Sequence, residues 1–150
     1  MVTEIHRLRP GDDGLHEAML DLFGQVFGEQ ETYCGNRPTA GYVSRLLANP
    51  AFVCLVARIG DRVVGALAGY ELPKFEQARS EFYIYDLAVS ETHRRKGIAT
   101  ALIEETCKIA RQRGGWTVFV QADHESAEAI ALYSKLGTRE EALHFDIPVN

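Results

Sequence analysis

Residues 81–122 constrain this chain more than any other stretch. An apolar run at 81–89 leads through a basic turn into a long amphipathic segment at 98–113, which Gly114-Gly115 ends before a second apolar run at 116–122. The periodicity predicts a strand, a helix and a strand. A unit of that order closes as a right-handed crossover, so the two strands lie parallel in one sheet.

The remaining segments are hairpin-like and make the sheet mixed. Residues 4–9 alternate polar and apolar side chains and stop at Pro10-Gly11, a first strand. Asp12 or Asp13 can cap a helix whose buried stripe is Leu15, Met19, Leu22, Phe23, Val26 and Phe27, with Gly28 as its end. Residues 29–38 are polar, without a clean period, and predict a surface loop ahead of a second helix at 39–48. Strands at 52–58 and 63–70 are joined by Gly60-Asp61 as a hairpin. Residues 72–80 predict a connecting loop. Ser126 can cap a last helix to Lys135, and 141–147 predict a strand that closes the sheet.

The basic turn suits a pyrophosphate. Arg94, Arg95 and Lys96 supply charge, while Gly97 and Ala99 leave the backbone uncovered, so that N–H groups of the first helical turn can meet phosphate oxygens.

At 150 residues, with 46% hydrophobic and 25% charged residues, the chain predicts one domain over 1–150. No apolar run approaches the ~20 residues that span a bilayer, so no membrane partner is expected. Residues 1–6 lack the pattern of a secretory signal, which predicts a cytoplasmic protein. Cys34, Cys54 and Cys107 fit neither a disulfide framework nor zinc spacing, and predict reduced thiols, with Cys54 and Cys107 in the core. The net charge of −5 argues against nucleic acid and favours a cationic partner. There is no Gly-x-x-x-x-Gly-Lys loop, Gly-x-Ser-x-Gly elbow, His-Glu-x-x-His pair or Cys-x-x-Cys, so a kinase, serine hydrolase or metal enzyme is not expected.

The spacing Arg94-x-x-Gly97-x-Ala99 after Asp86-Leu-Ala-Val89, together with Ala129-Ile-Ala-Leu-Tyr-Ser-Lys-Leu-Gly137, resembles the GNAT superfamily of N-acetyltransferases. The element order resembles it over essentially the whole chain. The resemblance implies an α/β fold, a mixed, mostly antiparallel sheet splayed between strands 4 and 5 and flanked by helices. It implies acetyl-coenzyme A as cofactor, with its pantetheine arm on the backbone of Leu87, Ala88 and Val89. The pyrophosphate would lie on Arg94, Arg95, Lys96, Gly97, Ile98, Ala99 and Thr100. Tyr133 would be the general acid that protonates the departing thiolate, a role that the surrounding Leu-Tyr-x-Lys-x-Gly pattern favours over a tyrosine that only packs its ring on the sheet. Two positions depart from the family pattern: Ser126 stands where an Asn is usual, and Gly137-Thr138 where Gly-Phe is.

Amine acetylation needs a neutral nucleophile, hence a base. Asp86, a carboxylate inside an apolar run, needs a partner that a substrate ammonium could supply; an Arg or local backbone would serve as well. His124 ranks behind it as base, with Asp123 and Glu125 as cation ligands. Glu81, Glu140, Glu141, His144 and Asp146 are weaker candidates.

Segments 18–24, 72–89 and 132–141 further resemble the aminoglycoside 3-N-acetyltransferases of the gentamicin-resistance type. That implies acetylation of the 3-amino group of the 2-deoxystreptamine ring, with Glu29, Glu31, Asp86, Asp123 and Glu125 as an acidic cleft for the drug's ammonium groups. The same carboxylates would suit a polyamine or a protein amine, and a reading of a different class is a coenzyme-A-binding sensor without catalysis, against which Tyr133 and Asp86 argue. Whether the chain forms a homodimer stays open.

Overall fold

The computed structural model describes residues 2–149. Five strands form one sheet in the order β1-β2-β3-β4-β5. They are β1 (Glu4–Arg7), β2 (Phe52–Ile59), β3 (Arg62–Pro73), β4 (Ser80–Val89) and β5 (Gly115–Val120). The first three pairings are antiparallel and β4 with β5 is parallel. The helices are α1 (Asp13–Phe27), α2 (Gln30–Cys34), α3 (Ala40–Ala48), α4 (Ile98–Gln112) and α5 (Ala127–Leu136), with a 3₁₀ turn at Glu91–His93. The mixed sheet and its crossover through α4 follow the sequence expectation.

Strand alternation divides the core between the two faces of the sheet. Val53, Leu55 and Ala57 of β2 meet Leu102, Ile103 and Ile109 of α4 on one face. Cys54 and Val56 point the other way, against Met19, Leu22 and Phe23 of α1 and Val43 and Leu47 of α3. Both faces are thus covered by helices, and β2 is buried over most of its length. Burial lifts the Cys54 thiol to about 12, which makes it an inert core residue, whereas Cys107 is only half-buried.

Three expectations need correction. Residues 29–38 are not all loop: α2 forms one short turn within them, and Tyr33 packs its ring against Phe23 and Phe27 of α1. The loop expected at 72–80 shrinks to 74–79, because β3 runs to Pro73 and β4 starts at Ser80. Residues 141–147 form no strand; the segment after α5 is an exposed arm without regular structure.

Candidate functional site

The site is built where β4 and β5 part. Their pairing extends from Ser80 to Ile84 on β4 and from Gly115 to Val120 on β5. Beyond Ile84, β4 continues to Val89 with β3 alone, and its backbone groups facing the departed strand have no sheet partner. The splay coincides with a β-bulge. Ile84 pairs with Gly69 and Asp86 with Ala68, which leaves Tyr85 as the extra residue. Gly69 permits this close approach: a methyl group there would stand 2.6 Å from the Tyr83 carbonyl oxygen. The bulge turns Asp86 and Ala88 towards the α1 face, while Leu87 packs with Ile84 and Val89 against the α4 side.

Asp86 has neither of the partners foreseen for it, an Arg or local backbone. Its carboxylate accepts a hydrogen bond from the Tyr33 hydroxyl at 2.9 Å. Burial raises the Asp86 pKa, the Tyr33 hydrogen bond opposes that, and the charge of Glu29 adds to the rise. The carboxylate is therefore a stronger base than an exposed one. Tyr33 has its own pKa raised by burial and by Asp86, so it stays a proton donor at neutral pH. Sequence reasoning missed Tyr33 because it sits on a five-residue helix with no apolar period; an aromatic residue just beyond the end of α1 was the only signal.

After β4 the chain turns through Glu91–His93 into α4. Arg94, Arg95 and Lys96 are exposed, and Gly97 begins the helix with φ +77. No side chain caps this end, and open space lies where a Gly97 side chain would be. The first α4 amide bonded within the helix is that of Ala101, to the Gly97 carbonyl, so the N–H groups of Ile98, Ala99 and Thr100 are free to receive an anion.

β5 runs parallel to β4, so the segment after it leaves the sheet at the end that carries the basic turn. Arg94 lies 3.7 Å from Glu128 at the start of α5. Asp123, His124 and Glu125 are exposed and line one cleft with Ile84 and Tyr133. They belong with the turn and Tyr133, whereas Glu29 is the carboxylate whose charge reaches Asp86. Glu31 is exposed and lies against Gly35 within its own turn. Tyr133 packs partly on the α4-side core, and burial alone raises its pKa, which keeps the phenol protonated. No group of three or more His, Cys, Asp or Glu able to hold a metal occurs among the described residues. Among them, too, no helix is long and apolar enough to cross a membrane.

A sheet splayed between β4 and β5, with an uncapped helix behind a basic Gly97 turn, defines an acetyltransferase of the GNAT fold. Residues 16–138 match the Acetyltransferase (GNAT) family, and the chain belongs to it. A solved aminoglycoside acetyltransferase from an uncultured soil metagenomic sample is 54% identical, with a TM-score of 0.98 and all of both chains covered. A second one from such a sample, solved with sisomicin, is 29% identical, with a TM-score of 0.90 over 99% of this chain and 97% of that one. Among curated proteins, N-acetyltransferase 8B of Rattus norvegicus is 27% identical over 83% of this chain and 56% of its own length. The chain thus spans about half the length of the curated relatives it matches.

Proposed function

We propose that this chain, as one acetyltransferase domain over 1–150, transfers acetyl from acetyl-coenzyme A to the 3-amino group of the 2-deoxystreptamine ring of gentamicin-type aminoglycosides. The observation that carries this reading is Asp86, a carboxylate held by Tyr33 at the bulge where β4 loses β5. Two similar solved proteins are aminoglycoside acetyltransferases, which supports the acceptor class.

The free amides of Ile98, Ala99 and Thr100, with the charges of Arg94, Arg95 and Lys96, fit a pyrophosphate, and the backbone of Leu87 to Val89, paired with β3 but not with β5, fits a pantetheine arm. Bound there, acetyl-coenzyme A supplies an activated acyl group. Asp86 orients the acceptor ammonium and takes the proton it must lose before its nitrogen can attack. Glu29 adds negative charge that holds a polycation at this end, with Glu31 at its rim. Tyr133 gives its phenolic proton to the sulfur that leaves and is restored by the second proton that the nitrogen sheds as the amide forms, while the proton taken by Asp86 passes to solvent. Asp123, His124 and Glu125 line the cleft near Tyr133, where they can bind a second ammonium group and pass protons to solvent. N-acetylation removes one positive charge that an aminoglycoside uses against ribosomal RNA, so the activity would confer resistance.

Acetyl-coenzyme A consumption should be measured with gentamicin, kanamycin, spermidine and a lysine peptide, and the product located by NMR. Acetyl on the 3-amino group is the expected outcome; turnover with spermidine or the peptide alone rejects the acceptor. Tyr133→Phe keeps the ring and should lower turnover by about 10²-fold. Full turnover in that variant leaves Tyr133 only its packing role.

A further inference from the structure

A row of aromatic rings crosses the α1 face of the sheet. It starts at Phe52 of β2, part of the α1-side core, and continues through Tyr70 of β3, Tyr85 and Tyr83 of β4 and Phe119 of β5, with ring centroids 5.3, 6.2, 5.7 and 4.8 Å apart in turn. Phe119 lies flat on Tyr83, and Tyr85 stands edge to face against both Tyr70 and Tyr83. Beyond Phe52 the row belongs to neither core cluster.

Aromatic pairs across strands ordinarily serve to hold a sheet together. Tyr85 is not placed for that. It is the extra residue of the β4 bulge, without a partner opposite on β3, and its side chain is 62% exposed. The bulge sets this open ring on the same face as the next residue, Asp86, whose carboxylate Tyr33 holds. The row therefore begins at the carboxylate that faces the acceptor and runs from it towards β5.

We propose that these rings are the floor on which the acceptor's aminocyclitol ring lies, while Asp86 takes an ammonium group at that ring's edge. The inference rests on the acceptor reading given above and adds what recognises the ring as distinct from its charge. A 2-deoxystreptamine ring bears all its substituents equatorially, so each of its faces shows only C–H, made electropositive by the neighbouring ammonium groups. An aromatic face is electron-rich and attracts such hydrogens, as it attracts cations. Asp86 and the charge of Glu29 lie at the same place, so the floor and the carboxylates select a body that is both flat and cationic. Burial raises the pKa of Tyr70 and of Tyr83, so both stay neutral phenols able to bond to sugar hydroxyls. A linear polyamine would satisfy the carboxylates equally but has no flat face to lay down. The row thus gives the site its preference for rings.

Calorimetry on the coenzyme A complex should compare gentamicin with spermine. Tyr85→Leu keeps an exposed apolar side chain and removes the ring; it should weaken gentamicin about tenfold and spermine by less than about twofold, whereas Tyr85→Phe should bind gentamicin as the parent does. In the unaltered chain, saturation of the aromatic protons should pass most strongly to the axial protons of the 2-deoxystreptamine ring. A Leu variant that weakens both amines alike, or neither, overturns the proposal, as does saturation that reaches only the other sugar rings. Gentamicin bound without these ring effects removes the floor and leaves the acceptor reading in place; gentamicin that does not bind removes both. Acetyl found on a different amine, with the ring effects intact, upholds the floor and corrects the acceptor reading. Should Tyr85→Leu fail to fold, the saturation measurement decides.

Discussion

From Ser80 to Ile84, β4 is paired on both sides, and Phe82 and Ile84 are almost fully buried; from Tyr85 to Val89 it keeps β3 but has lost β5. The first half is also locked by charge. Glu71, next door on β3, is buried, receives two hydrogen bonds from the Arg113 guanidinium at 2.7 and 2.9 Å, and one from the Ser80 hydroxyl at 2.8 Å. Arg79 lies over the Trp116 ring at 4.1 Å and clasps the starts of β4 and β5. The second half has Asp86, half-buried, with one neutral donor and no cationic partner among the described residues. A carboxylate in the first half has its charge answered within the fold, and one in the second keeps its charge for a ligand. The difference is that between holding a strand and using it.

The largest effect that tests this contrast is Asp86→Asn. Turnover should fall by about 10²–10⁴-fold if Asp86 is the base, while coenzyme A affinity holds. Stability should move the opposite way. The folded pKa of Asp86 is raised, so the native state binds its proton more tightly than the unfolded chain, and stability is lost as pH climbs through the folded value. Asn can still accept from Tyr33, so the variant should melt higher than the parent at neutral pH. Below the ordinary Asp value of about 3.9 the gain should vanish. A variant with full turnover, or one that melts lower at neutral pH, removes Asp86 from the functional half.

Glu71→Ala should do the reverse. It leaves the Arg113 guanidinium and Ser80 without their buried partner and should cost about 3 kcal/mol of stability. Turnover per folded molecule should stay near that of the parent, as thermal unfolding and active-site titration together would show. A loss of turnover without loss of stability would mean that the two halves are not separate.

Gly97→Asn probes the end of the functional half. Asn tolerates the left-handed backbone that Gly97 adopts, so folding should survive, but its side chain enters open space above the free α4 amides. Coenzyme A affinity should fall about tenfold, the worth of one charge-assisted hydrogen bond. Calorimetry with coenzyme A measures it, and unchanged affinity moves the pyrophosphate off this turn.

How much of this the sequence carried follows the same division. The strand, turn and α4 were legible because apolar runs, a basic cluster and Gly97 act locally. The bulge was not, because it depends on Gly69 of β3 meeting Tyr83 and Ile84 of β4, residues far apart in the chain. α2 was hidden because its five residues bury nothing fully, and what holds Tyr33 is the Phe23 and Phe27 rings and Asp86. The arm's alternation was legible as a capacity to pair, but alternation does not say with which edge. That β5 would leave β4, and so open the site, came from the family resemblance and not from periodicity; that the parting follows Ile84 is seen only in the structure.

The smallest effect should come from Tyr33→Phe, and it sharpens the contrast most finely because it removes one oxygen. The ring keeps its contacts with Phe23 and Phe27, so the helical signal and α1 packing should be retained. Asp86 loses the one hydrogen bond that lowers its pKa, while burial and Glu29 still raise it. Its pKa must therefore rise further, and protonation of the base begins at higher pH. The acid limb of the turnover profile should move up in pH, with the plateau reduced far less than in Asp86→Asn. A purely structural Tyr33 would lower turnover evenly across pH without moving the limb. If the limb stays in place, Tyr33 supports the α2 turn and does not position Asp86.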